Sequence, residues 1–156
     1  MKILFLMIFL TTLGISIFAS GKYDSPIYTK KSNLALEGYD PVSFFESTEP
    51  MLGNTSWQKE YKGAIWYFSS EKNLILFSED PEKYEPAYGG YCAWAMNNGK
   101  LAAGKPEHWD IIDSRLYLNY SSSTRMKFLN DLDSMILNAD SKWPEIEAEL
   151  LEEKAE

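Results

Sequence analysis

Only one cysteine, Cys92, and one histidine, His108, occur in the 156 residues. The lone thiol excludes an internal disulfide, so Cys92 must be buried, reactive, ligating or paired with another chain. The lone imidazole excludes any site that needs two, and counts against a catalytic zinc. Basic residues are scarce as well, 15 Lys and Arg against 23 Asp and Glu, for a formal net charge of −8. Nucleic acid and anionic lipid both select basic surfaces, so neither is expected as a partner. Beyond residue 21 the sequence shows no long apolar run, no low-complexity tract and no internal repeat.

The chain opens with Met1-Lys2, continues through the almost wholly apolar Ile3 to Phe18, and reaches the small residues Ala19-Ser20-Gly21. This is the pattern of a secretory signal over residues 1–21, with cleavage expected after Gly21. The apolar stretch carries Thr11, Thr12, Gly14 and Ser16 and is short against the roughly 20 residues that span a bilayer. No stable membrane insertion is therefore expected after cleavage, and the implied location is exported, either periplasmic or extracellular.

Residues 22–33 are polar, contain Pro26 and read as an extended lead-in to a domain over 34–143. Asp40-Pro41 is a helix start, with Asp40 capping and Val42, Phe44 and Phe45 as core residues. Residues 56–61 and 64–68, with the bulky Trp57, Tyr61, Trp66 and Phe68, flank Lys62-Gly63 as a β-hairpin, and 109–112 with 116–120 make a second across Asp113-Ser114-Arg115. Ser70 caps a helix through Leu74 and Phe77, and Asp80-Pro81 starts a single further turn. Residues 100–107 read as a loop. From Ser123, Met126, Leu129, Leu132, Ile136 and Ala139 recur at the spacing of one helix face. Trp143-Pro144 is expected to break that helix, leaving 144–156 as an acidic C-terminal helix or tail. The fold class is α+β: one small domain with two β-hairpins, short helices and a C-terminal amphipathic helix.

The stretch Tyr88-Gly89-Gly90-Tyr91-Cys92 is the most distinctive in the chain. Paired glycines give access to positive φ and to close backbone approach. Residues 91–98 then read as a short helix stopped by Asn98-Gly99, which puts Cys92 in a first turn where the dipole favours a thiolate. Met96 follows one helical turn later. A thiolate and a thioether suit copper or another soft metal ion, and His108 would complete a Cys92, Met96 and His108 set. The competing reading makes Cys92 and Met96 ordinary core residues.

Taken in order, Gly38-Tyr39-Asp40-Pro41-Val42, Trp66-x-Phe68-Ser69-Ser70, Asp80-Pro81-Glu82-Lys83-Tyr84, Tyr88-Gly89-Gly90-Tyr91-Cys92-Ala93 and Leu116-Tyr117-Leu118-Asn119 resemble exported bacterial YHS-domain proteins. The resemblance runs from about Leu34 to Trp143. It implies a small domain of a group generally taken to bind metal. The metal-associated pattern of that group has one cysteine directly after a Tyr-Phe pair and another four residues on, where this chain has Ser69 and Asn73. Three functions stay open: a binding module holding a soft metal ion or small ligand near Cys92, a single-cysteine thiol redox protein, and a structural or interaction domain of the cell envelope. No reaction is assigned, and no particular protein partner follows.

Overall fold

The computed structural model describes residues 23–30 and 32–153; the signal expected over 1–21 lies outside these. Strands β1 (Asn54–Tyr61) and β2 (Ala64–Phe68) pair antiparallel, with Lys62 and Gly63 both at positive φ between them. That is the two-residue turn whose twist matches its flanking strands. Strands β3 (Lys105–Ile112) and β4 (Arg115–Asn119) form the second hairpin, and its turn is Asp113-Ser114 alone, at φ 48° and 62°. β3 thus takes in residues 105–107, which the sequence suggests as loop, because Lys105 pairs with Asn119 across a bulge. The α+β class is observed.

Among the described residues five short helices and one long one accompany the hairpins: α1 (Ser43–Glu46), α2 (Glu71–Glu79), α3 (Pro81–Tyr84), α4 (Ala93–Met96), α5 (Ser122–Asn130) and α6 (Leu132–Glu153). The expected Ser70 and Asp80 caps are in place. Ser70 Oγ accepts from the Asn73 N–H at 3.2 Å, and Asp80 Oδ1 from that of Lys83 at 3.3 Å. Among the described residues no helix is long and apolar enough to cross a membrane.

Two expectations about the C-terminal third are corrected. The helix begun at Ser122 ends at Asn130, because Asp131 leaves helical geometry, and its buried residue is Phe128, with Met126 and Leu129 exposed. Further, α6 runs through Pro144 instead of breaking there. A proline costs the helix one hydrogen bond and some strain. Trp143 offsets this by packing its ring 6.2 Å from those of Tyr88 and Tyr91.

The structure also contains the repeat that the sequence hides. Asn54↔Phe68, Gln58↔Tyr67 and Tyr61↔Ala64 in the first hairpin answer Lys105↔Asn119, Trp109↔Leu118 and Ile112↔Arg115 in the second, at one constant offset. Each hairpin is followed by a serine-capped helix of nine residues and then a non-helical aspartate, Asp80 or Asp131. Each is preceded by a left-handed turn ending in Gly-Tyr, Gly38-Tyr39 or Gly90-Tyr91. The Asp40 N–H bonds the Met51 carbonyl at 2.8 Å, and the Cys92 N–H bonds the Ala102 carbonyl at 2.9 Å. In this correspondence Cys92 stands where Asp40 stands.

The two units meet at β4. Leu116 and Leu118 pack with Trp66, Phe68, Phe77 and Tyr84, while Tyr117 between them packs with Tyr88, Met96, Phe128 and Ala139. The period-2 alternation of a strand thus serves two cores at once. The second turn tests the local reading. Ser114→Gly is expected to raise stability by about 1 kcal/mol, since glycine carries no penalty at positive φ. A lower urea midpoint for the variant would show that the serine side chain contributes more than its backbone costs.

Candidate functional site

The Gly-Gly corner has the backbone its composition suggests. Tyr88, Gly89 and Gly90 lie in sequence at φ 57°, 60° and 85°. A Cβ on Gly89 would stand 1.8 Å from the Pro26 carbonyl oxygen, so only glycine fits. The reason is the segment before the domain. The Tyr28 N–H donates to the Gly89 carbonyl at 2.8 Å, the Tyr91 hydroxyl donates to the Ser25 carbonyl at 2.6 Å, and Ile27 is 2% exposed. The lead-in is core structure laid over the corner.

Cys92 immediately precedes α4, so the helix starts one residue later than the sequence implies and lasts a single turn. One turn carries little of the macrodipole on which the thiolate expectation rested. The thiol is 1% exposed and donates to Asn119 Oδ1 at 3.7 Å, an oxygen that also accepts the Trp94 N–H at 3.1 Å. Asn119 is itself fully buried, and its Nδ2 has no partner among the described residues. Met96 is buried on the next turn, its N–H bonded to the Cys92 carbonyl at 3.0 Å. His108 is half-exposed on β3, next to Trp109. Leu118 of β4 pairs with Trp109 on one side and bridges Cys92 on the other, so two strand spacings, about 10 Å of backbone, separate His108 from the thiol.

Ser69 and Asn73 come together around Asp40. Asp40 is 0% exposed. Its Oδ2 accepts from the Ser69 N–H at 2.8 Å, Ser69 Oγ at 2.6 Å and Asn73 Nδ2 at 2.7 Å, and its Oδ1 accepts from the Val42 N–H at 2.9 Å. The sequence suggests Asp40 as the cap with Pro41 first in the helix, but α1 starts at Ser43 with Val42 at its N-cap, so the Asp40–Val42 bond closes the turn before it; the three long-range donors are not legible from sequence. This cluster does not fit a metal. Its polar groups are turned on one another, it has no thiolate, and two of the three side chains face the third as donors. Among the described residues no group of three or more His, Cys, Asp or Glu is placed to hold a metal ion.

A cleft of about 170 Å³ lies against the outer side of the corner, lined by Lys62, Glu85, Tyr88, Gly89, Arg115 and Trp143 among others. Lys62 Nζ bonds Glu85 Oε1 at 2.9 Å. Arg115 lies over the Tyr88 ring, 5.7 Å from its centre, and pairs with Asp140 at 3.1 Å. The Tyr88 hydroxyl donates to the same carboxylate at 2.9 Å. Burial, then this bond and the Asp140 charge, hold the Tyr88 phenol well above its ordinary value. Burial also raises the Glu85 carboxyl, outweighing the Lys62 ammonium that pulls it down. Glu85 Oε2 is buried with no hydrogen-bond partner among the described residues, a deficit worth about 1–3 kcal/mol. Sequence reasoning reached Tyr88 and Gly89 of this cleft. It missed Lys62, Glu85, Arg115 and Trp143, which lie on four separate elements.

The match to a family model covers β1, β2, α2, α3 and the corner as far as Tyr88. Residues 50–88 are a YHS domain. Comparison with curated proteins and with solved structures finds no match to this chain. The YHS stretch contains Ser69 and Asn73 and, in Lys62, Glu85 and Tyr88, a large part of the cleft wall; it stops short of Cys92.

Burial predicts how the thiol behaves. In the folded protein Cys92 is expected to resist iodoacetamide at neutral pH and to label completely in denaturant. Labelling of the native protein at the rate of a free thiol would show that the site opens.

Proposed function

We propose that this chain is an exported binding module in which the YHS domain and the Gly-Gly corner together hold a small ligand in the corner cleft, with no reaction assigned. The observation that carries the reading is the cleft itself. It is a concave site beside three successive left-handed residues, walled by the rings of buried Tyr88 and partly buried Trp143 and by convergent charged groups, as small-molecule sites are. Export is supported by the charged start, apolar centre and small-residue end of residues 1–21. In this reading Cys92 packs and hydrogen-bonds beneath the corner, and a soft metal ion at Cys92, Met96 and His108 has less support than the cleft.

The test is a fragment screen by two-dimensional NMR on the chain from residue 22 onward. Hits are expected to shift the Trp143 indole resonance. They should also lose at least tenfold in affinity for Ala87→Trp, which fills the cleft from its wall. Hits that leave Trp143 unmoved, or that bind the filled variant as tightly as the parent, would place the ligand site elsewhere.

A further inference from the structure

The charges of the cleft are balanced but not equally satisfied. Lys62 is held by Glu85 Oε1 at 2.9 Å and has Glu147 at 3.8 Å. Arg115 is held by Asp140 and stacks over the Tyr117 ring, 5.2 Å from its centre. Lys83 on the rim lies over the Tyr84 ring at 4.8 Å. Every cation of the cleft therefore has an anionic or aromatic partner. The carboxylate side differs. Glu85 gives one oxygen to Lys62 and keeps the other, Oε2, buried and unpartnered, although Glu85 lines the cleft. A hydrogen-bond donor arriving there would complete the site, whereas an acceptor would meet an oxygen that already lacks a donor.

Two further features narrow the class. The Trp143 ring stands in the cleft lining beside that of Tyr88, which Arg115 covers, and an aromatic face attracts a cation. Glu82, on the same lining, adds negative charge that a positive ligand would use, while Glu147 is shared with Lys62. The volume of about 170 Å³ is below that of most small-molecule sites, so the ligand has only a few heavy atoms or inserts only one end. We infer that the cleft takes a small primary amine in its ammonium form, its N–H groups on the Glu85 carboxylate and its carbon chain against Trp143. This rests on the cleft being the ligand site, and it names what that site selects.

Three probes of like size separate the classes at constant ionic strength: ethanolamine hydrochloride, ethylene glycol and potassium acetate. Ethanolamine is expected to shift the Trp143 indole resonance saturably in the millimolar range, while the other two leave it in place. Glu85→Gln should weaken ethanolamine at least tenfold. Glu85→Asp, which keeps the charge but draws it back by one carbon, should give a smaller loss and covers the case in which the glutamine variant fails to fold. Equal shifts from ethylene glycol, or stronger shifts from acetate, would overturn the amine while leaving the cleft as a ligand site. Ethanolamine binding that is unchanged in both Glu85 variants, or no response of Trp143 to ethanolamine at all, would also overturn it.

Discussion

The fold turns on one carboxylate. Asp40 is buried, and it gathers donors from the turn before α1, from the end of β2 and from the first turn of α2. A single buried side chain thus satisfies polar groups from three segments. Unsatisfied polarity remains instead at Glu85, on the cleft, and at Asn119, beneath the corner.

The second constraint is the left-handed corner, and it is built twice. Gly38 and Gly90 close equivalent turns, and Gly53 and Gly104 sit at equivalent points where a Cβ would overlap backbone. The copies then diverge in side chains. The first puts Asp40 into a dense polar cluster, and the second puts Cys92 beside the less satisfied Asn119. The second copy is also the one that α6 covers, through Trp143 on the corner and Asp140 on Arg115 and Tyr88. The cleft arises between the two units because the first supplies Lys62 and Glu85 and the second supplies Tyr88 and Arg115.

The features legible in the sequence are those that one short stretch determines. The two hairpins, the Ser70 and Asp80 caps and the need for glycine at residues 89 and 90 depend on neighbours along the chain, and they appear as expected. The repeat was not legible because its copies share residues chiefly where the backbone demands them: Gly38 and Gly90, Gly53 and Gly104, Ser70 and Ser121, Phe77 and Phe128, Asp80 and Asp131. The passage of α6 through Pro144 depends on the docking of Trp143 against rings some fifty positions away. Of the candidate site, Tyr88, Gly89 and Cys92 drew attention by type, but whether each faces a cleft or the core is decided by the segment 23–30 and by β4.

The most direct measurement is the stability of Asp40→Asn. The substitution keeps the shape of the side chain and replaces one accepting oxygen by an amide that faces donors in either orientation. A loss of about 2–4 kcal/mol in urea unfolding is predicted, since in either orientation the amide NH2 faces at least one donor inside the cluster in place of an acceptor. A variant within about 0.5 kcal/mol of the parent would contradict the central role of this carboxylate.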